Sequence, residues 1–309
     1  MTATAPRHPG WAWALGVLAM LMFGATLPMT QLATRAQGVP QLSPWLVTCG
    51  RCVVAAALSA MFLLLTRSAW PERRHWPALA LASAGNAVLY PLLLALALQT
   101  LGTAHAAVIT ALGPLLTSAV AAWWWRQRPP LSFWLCALAG CAVVMGFSLW
   151  RSGPGGQFGS LHAADGLLAL GVLAASVGYV AGARVTPDLG AERTICWVTL
   201  LALPVTVPGA WWALGQQGSL AQVAPAAWWG LAYVSVFSMW AGFFAWYRAL
   251  AWGPAAQIGQ VQLLQPFFAV LVAWPVLGDV PTWPGLLCML LVVALVAWGK
   301  RLSAVASAR

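Results

Sequence analysis

Residues 110–123 read TALGPLLTSAVAAW, and residues 262–275 read QLLQPFFAVLVAWP. The two stretches align at an offset of 152 residues, which places Pro114 on Pro266 inside otherwise apolar sequence. The similarity continues at the same offset into the apolar stretch that follows each of them. Similarity that recurs at one fixed offset is typical of an internal repeat. The sequence therefore predicts a chain built from two related halves.

The composition around this repeat excludes several classes of protein. Of 309 residues, 61% are hydrophobic and only 6% are charged, whereas soluble domains carry about 25% charged residues. So few charges cannot coat a water-exposed surface of this size. This excludes an ordinary soluble enzyme, a disordered protein and, despite the net charge of +10, a nucleic-acid partner. We predict an integral membrane protein whose surroundings are the lipid bilayer.

The apolar residues form ten segments, numbered 1 to 10 in chain order. Each is about 20 residues long, which is the length that an α-helix needs to cross a bilayer. Only helices and closed barrels satisfy the backbone in lipid, and continuously apolar runs favour helices. The predicted fold is all-α. The predicted segments cover residues 11–33, 43–65, 76–98, 104–124, 131–149, 164–183, 194–212, 225–247, 254–276 and 283–302.

Five segments in each half have a topological consequence. Residues 1–150 hold segments 1 to 5, and residues 151–309 hold segments 6 to 10. Because five is odd, the second half enters the membrane from the opposite side. Such inverted repeats are typical of secondary transporters, in which two oppositely oriented halves enclose a site near the middle of the membrane.

Basic residues predict the orientation of the chain. With the N-terminus inside, the inner loops and tails hold 12 of the 15 Lys and Arg residues, and the outer loops hold Arg35 and Arg151. This bias places both termini in the cytoplasm. We read the first apolar run as a membrane helix rather than as a cleavable signal peptide, because it is long and many others follow it.

Several short motifs recur along the chain in a fixed order and spacing. They are Phe23-Gly24 with Thr26, Arg51 at the head of segment 2, Ala97-Leu98 through Pro114, Tyr247-Arg-Ala-Leu250 through Pro266, and Leu277-Gly278-Asp279. Together they resemble the EamA-like transporters of the drug/metabolite transporter superfamily, and the resemblance covers nearly the whole chain. It implies ten helices in two five-helix repeats, a central cavity lined by helices 1, 3, 4, 6, 8 and 9, and small metabolites such as amino acids as substrates.

Polar residues at membrane depth usually face the interior of a helix bundle, so those on the six cavity helices are candidate substrate contacts. Segment 3 offers Asn86 and Tyr90 on one face, and segment 6 offers Tyr179. His105 lies near the outer end of segment 4. It either caps and packs, or it acts as a gate or proton-sensitive contact, since His titrates near neutral pH.

Segments 8 and 9 carry the densest candidates. Segment 8 has aromatic residues at helical spacing, which form either a packing or lipid-facing stripe or a wall for a flat or apolar substrate. Segment 9 has four glutamines, which either bond helix to helix or recognise substrate through their amides. The candidates assigned to the substrate site are Tyr233, Phe237, Trp240 and Phe244 on segment 8, and Gln257 and Gln260, which share a face of segment 9.

Other residues receive structural interpretations. We expect Arg51, near the outer end of segment 2, to extend toward the interface; contact with a substrate carboxylate is the alternative. Cys49 and Cys52 have CxxC spacing but no partner pair, and packing is the expected role. Most tryptophans near segment ends fit an interfacial aromatic belt.

The functional prediction is a secondary transporter or exporter of small metabolites, amino acids or related compounds. No Asp or Glu lies at the centre of a segment, which favours a facilitator, with proton-coupled antiport as the alternative. No Walker A sequence, nucleophile–base motif or metal motif is present, so no enzyme activity, catalytic residue, cofactor or metal is predicted. A channel or a structural membrane protein is the remaining rival. The expected location is a bacterial inner membrane, and the oligomeric state stays open.

Overall fold

The computed structural model describes residues 9–36, 39–124, 131–152, 162–252 and 259–307. Helices cover each of the ten predicted segments, several as consecutive pieces. Their bounds are Pro9–Gly24 and Thr26–Thr34 (segment 1), Pro44–Leu65 (2), Trp76–Ala82, Ser83–Leu89 and Tyr90–Ala97 (3), Thr103–Thr110 and Gly113–Trp124 (4), Leu131–Ser152 (5), Ala163–Leu189 (6), Ala191–Gln216 (7), Pro225–Tyr233, Val234–Ala241 and Gly242–Trp252 (8), Gly259–Leu264 and Gln265–Leu277 (9), and Trp283–Ser307 (10).

The prediction of a helical, multi-pass membrane protein is confirmed. Six helical spans have the length and hydropathy needed to cross a membrane: Gly10–Thr34, Pro44–Leu65, Arg73–Ala97, Thr103–Trp124, Ala163–Leu189 and Ala191–Gln216. Shorter apolar helices cover Val261–Leu277 and Trp283–Leu295. That all ten segments cross the membrane, with both termini inside, stays a prediction.

Two details differ from the all-helical expectation. Arg35–Ala36 and Val39–Pro40 form a short antiparallel strand pair after segment 1. Segments 6 and 7 also extend beyond their predicted apolar limits, so that Gly190 alone separates them, at a φ of 85°. The predicted loop at 184–193 is therefore mostly helical. Charged residues ended the apolar run there, but a helix needs no apolar residues once it leaves the membrane.

Recognisable signals start and stop the helices. At the start of segment 2, the Ser43 side chain accepts a hydrogen bond from the Leu46 N–H at 3.2 Å, and Pro44 occupies the first turn. At the start of segment 6, the Asp165 side chain accepts the His162 N–H. Segment 9 ends at Gly278 in the left-handed conformation that glycine adopts readily. Local sequence thus explains where these spans begin and end.

The helices pack with an approximate two-fold symmetry. Segment 1 packs on segments 8 and 9, and segment 6 packs on segments 3 and 4. When each segment number is shifted by five, the pairs 1–8 and 1–9 become the pairs 6–3 and 6–4. Segments 2 and 7 pack on each other, as do 4 and 9, and 5 and 10. The two halves are therefore interleaved rather than side by side, and any space at the centre has walls from both.

Contacts between segment ends agree with alternating chain directions. Thr103 at the start of segment 4 donates to Gln31 at the end of segment 1, at 2.6 Å. At the opposite end of the bundle, Arg248 pairs with Glu192. Large apolar residues such as Leu65 and Trp211 are about four-fifths exposed on the outside of the bundle. A surface of this kind suits lipid, not water.

Candidate functional site

The centre of the bundle holds a cavity with about 540 Å³ of space between atoms, its mouth included. We call it the central cavity. Segments 1, 3, 4, 6, 8 and 9 line it, which are the six that the family resemblance implies. Its lining residues are Met20, Phe23, Tyr90, Thr110, Gly113, Pro114, Thr117, Val172, Ala175, Ser176, Tyr179, Trp246, Gln262 and Gln265.

A second, smaller space adjoins it, with about 350 Å³ between atoms. We call it the inner chamber. It shares Phe23, Tyr90, Tyr179 and Gln265 with the central cavity, so the two spaces have a common wall. Segment 2 also contributes to it. Its lining residues are Phe23, Thr26, Arg51, Asn86, Tyr90, Tyr179, Ser238, Met239, Phe243 and Gln265.

Interrupted helices surround both spaces. Segment 4 breaks between Thr110 and Gly113, and segment 9 changes from a 3₁₀-helix to an α-helix at Gln265. These breaks lie 152 residues apart, the offset of the sequence repeat. Pro114 and Pro266 follow them, and proline has no N–H to donate to the carbonyl four residues earlier. The carbonyls so affected belong to Thr110 and Gln262, which both line the central cavity.

Segments 3 and 8 are interrupted in another way. Each contains a π-helix, Ser83–Leu89 in segment 3 and Val234–Ala241 in segment 8. The two starts are 151 residues apart, close to the repeat offset. π-helical turns within α-helices frequently mark functional sites. Asn86 and Ser238, which lie inside these turns, both face the inner chamber.

Asn86, Tyr90 and Tyr179 lie together, as the sequence predicts. All three line the inner chamber, and the two tyrosines also line the central cavity. A close contact between segments 3 and 6 holds Asn86 in place: a Cβ atom on Gly178 would lie 2.7 Å from the Asn86 amide. Glycine at position 178 is therefore needed for Asn86 to occupy its position.

The segment 8 candidates lie elsewhere. Tyr233, Phe237, Trp240 and Phe244 line neither space. Tyr233 stacks on Phe237, whose side chain is 45% exposed on the outside of the bundle. Trp240 contacts Phe244, which in turn contacts Phe62 of segment 2, with ring centroids 5.1 Å apart. In this conformation the contacts of these four residues are those of a packing and lipid-facing stripe, and their substrate role stays a prediction.

The face of segment 8 that lines the two spaces is not the predicted stripe. The stripe was chosen by α-helical spacing, over a segment that contains a π-helix with hydrogen bonds from residue i to i+5. The residues of segment 8 that line the two spaces are Ser238, Met239, Phe243 and Trp246, none of which belongs to the predicted stripe. Met239 and Phe243 each lie one position before a member of it. Phe243 also contacts Phe23 and Tyr179.

His105 also lies outside both spaces. Its Nε2 atom is 2.7 Å from Oδ1 of Asp165, and both side chains are buried. The pair connects segment 4 of the first half to segment 6 of the second. This geometry corresponds to the gate or packing interpretation rather than to substrate contact, and the assignment to the substrate site stays a prediction.

The glutamines of segment 9 that line the cavity are not the two predicted from the sequence. Gln257 and the side chain of Gln260 lie outside the described part of the structure. Gln262 and Gln265 both line the central cavity, and Gln265 the inner chamber as well. Gln262 was not among the predicted contacts, because α-helical spacing does not place it on the face shared by Gln257 and Gln260. The 3₁₀-helix Gly259–Leu264, in which residues three apart share a face, brings positions 262 and 265 together.

Arg51 is the largest correction. It was expected to extend to the membrane interface, but its side chain is buried at 3% exposure and lines the inner chamber. Its Nη2 atom donates to Ser238 Oγ at 3.1 Å and lies 3.8 Å from Met239 Sδ. Segment 2 is thus not peripheral at this depth. The signal available in the sequence was the charge itself, since a lone arginine in an apolar span is costly unless it has a role.

Apart from Arg51, the side chains that line the two spaces are uncharged. No Asp or Glu is among the lining residues of either space. Within the described ranges, no three His, Cys, Asp or Glu side chains lie close enough to hold a metal ion. Cys49 and Cys52 are buried as free thiols, as packing residues would be. The arrangement is suited to binding a solute by hydrogen bonds, aromatic contacts and one positive charge.

Fold and site together define a multi-pass membrane transporter. The model of the EamA-like transporter family matches residues 10–149 and again residues 162–298, so the chain belongs to that family. It is 34% identical over 296 residues to the "Uncharacterized transporter YdeK" of Bacillus subtilis (strain 168), covering 94% of this chain and 96% of that protein. A solved crystal structure 18% identical to it superposes with a TM-score of 0.59, over 96% of this chain and 98% of the other, and supports the fold.

Proposed function

We propose that this protein is a secondary transporter that exports small metabolites, amino acids or related compounds, by alternating access around the central cavity and inner chamber. The observation that carries the proposal is the position of these spaces. They lie midway along their segments, and their walls come from both halves. Rocking one half against the other would open such a site first to one side and then to the other.

Two inverted halves, 1–150 and 151–309, form part of this proposal. The helix breaks before Gly113 and Gln265, the paired π-helices and the double match of the family model all recur at an offset of about 152 residues. Symmetric packing of the segments also supports it. Ten crossings with both termini in the cytoplasm, in a bacterial inner membrane, complete the proposed arrangement.

Counterflow in proteoliposomes tests the proposal. Purified protein is reconstituted, loaded with unlabelled L-amino acids and offered the labelled forms one at a time. Saturable exchange is expected for one group of amino acids, and Gln265→Leu, which alters a wall of both spaces, should slow it. Trp274→Phe, an exposed position on the same segment, is the control. If the folded protein exchanges no small metabolite, the proposal is overturned.

A second candidate mechanism is proton-coupled antiport, which the buried His105–Asp165 pair favours. Histidine and carboxylate side chains form proton relays in many transporters, and the contact joins the two halves that would have to move. The same proteoliposomes decide between the mechanisms. A facilitator gives uptake independent of an imposed pH gradient, whereas an antiporter gives uptake that the gradient accelerates, and His105→Gln should remove that acceleration.

A further inference from the structure

Two buried polar atoms without a partner belong to residues that line the inner chamber. Arg51 is 3% exposed and its Nε atom has no acceptor, while Asn86 is 6% exposed and its Oδ1 atom has no donor. Buried polar groups in proteins are nearly always hydrogen-bonded, so each exception needs an explanation. One missing acceptor and one missing donor, at residues that share a chamber, point to a ligand that supplies both.

The charge of Arg51 is also uncompensated. Among the residues that the structure describes, no carboxylate lies within ion-pairing distance of it. Its partners are the neutral Ser238 hydroxyl and the Met239 sulfur. Thr26 bonds to the same hydroxyl at 2.7 Å, which fixes Ser238 in place. A buried positive charge held by neutral groups favours an anion, and the planar guanidinium matches a carboxylate in shape and hydrogen bonding.

We propose that the inner chamber is the carboxylate-binding subsite of the transporter. Arg51 binds the carboxylate of the solute, and Asn86 Oδ1 accepts a hydrogen bond from its amino group. This rests on the proposed function and narrows it to zwitterionic α-amino acids. The nearby aromatic residues Phe23, Phe243 and Tyr179 provide contacts for an apolar side chain.

Such a subsite would discriminate between classes of substrate. A cationic amphiphile would be repelled by Arg51, and a neutral sugar would leave its charge without a counterion. Loss of a hydrogen bond to a charged group weakens binding by about 10- to 100-fold. An amino acid should therefore bind more tightly than its own carboxamide by about that factor, even though the two have nearly the same size.

The first test uses the unmodified protein. Each L-amino acid that exchanges in counterflow is compared, as a competitor, with its carboxamide and with the corresponding acid that lacks the amino group. The carboxamide should compete about 10- to 100-fold more weakly. The deaminated acid should compete more weakly than the amino acid, but better than the carboxamide, because it keeps the contact with Arg51.

Variants then test whether Arg51 and Asn86 cause the preference for an amino acid over its carboxamide. In Arg51→Gln, the amino acid should compete only as well as its carboxamide. In Arg51→Lys, the amino acid should still compete better than its carboxamide, but by a smaller factor. Asn86→Asp places a carboxylate in the same chamber as Arg51 and should lower affinity for amino acids. Arg67→Gln is the matched control, since the same change is made at an exposed position just beyond segment 2.

The outcomes separate the two proposals. Equal competition by acid and carboxamide overturns the subsite while leaving transport intact, and so does exchange confined to solutes without a carboxylate. A preference that survives in Arg51→Gln also overturns it. Failure of every solute to exchange overturns the proposed function itself. If Arg51→Gln does not fold, the comparison on the unmodified protein still decides.

Discussion

Nε2 of His105 lies 2.7 Å from Oδ1 of Asp165, and this buried contact joins the start of segment 4 to the first turn of segment 6. A related contact lies at the other end of segment 6, where His75 Nε2 is 2.9 Å from Asp188 Oδ2. Asp165 and Asp188 are 23 residues apart, or about 35 Å along a helix. Both ends of one helix of the second half are thus bonded to histidines of the first.

These two contacts should differ in their contribution to stability. Removing one member of a buried pair costs about 3–5 kcal/mol, because the other stays buried without its partner. The contact of His75 with Asp188 should contribute less, because one of its two members is half-exposed and water screens the interaction. The melting temperature of His105→Ala in detergent should therefore be well below that of Asp188→Asn, since Asp188 is about half exposed. Equal melting temperatures would contradict the larger contribution assigned to the His105 contact.

The same contacts should also bias which side of the cavity is open. In a cysteine-free background, Thr117→Cys places one thiol in the central cavity. Weakening the predicted outer contact with His105→Gln should raise its labelling by an impermeant thiol reagent from outside. Weakening the inner contact with His75→Gln should lower it. Changes in the same direction in both variants would contradict alternating access around these contacts.

Gly178 should be intolerant of any side chain. A Cβ there would lie 2.7 Å from the Asn86 amide, and overpacking of this kind costs about 1–3 kcal/mol. We expect Gly178→Ala to displace Asn86 and to lower the affinity for substrate in counterflow. Gly166→Ala, on the same segment, meets no atom within 4 Å and is the control. Normal transport by Gly178→Ala would contradict a role for Asn86 in its present position.

Alanine substitutions on segment 8 should separate the two aromatic faces. Phe243 is buried beside the inner chamber, whereas Phe237 is 45% exposed on the outside of the bundle. Phe243→Ala should impair exchange at least tenfold more than Phe237→Ala, with both variants reaching the membrane. If Phe237→Ala is the more damaging change, the predicted stripe, rather than the face one residue before it, contacts the substrate.

Much of the fold was predictable because lipid makes simple demands on sequence. Long apolar runs predicted helices over all ten segments, and the six clearest membrane spans lie among them. The repeat at an offset of 152 reappears in the structure as matched breaks before Gly113 and Gln265. Boundaries were less accurate where charged residues continue a helix, as between segments 6 and 7.

The site was predicted only in part. Asn86, Tyr90 and Tyr179 line the cavities, as expected for polar residues at membrane depth on segments already predicted to lie at the centre. Gln262 was missed because the 3₁₀-helical turn near it changes which residues share a face. Phe243 was missed because the predicted stripe lies on the neighbouring face of segment 8, one position later at Phe244.

The sequence by itself determined that this chain is a helical membrane protein with an internal repeat, because apolar length and regular spacing are local properties of a chain. Only the tertiary structure decided that Arg51 faces the inner chamber and that His105 meets Asp165. Both depend on how far one helix turns and slides against another. That rotation is set by close contacts between distant segments, such as Gly178 against Asn86, which a single sequence does not show.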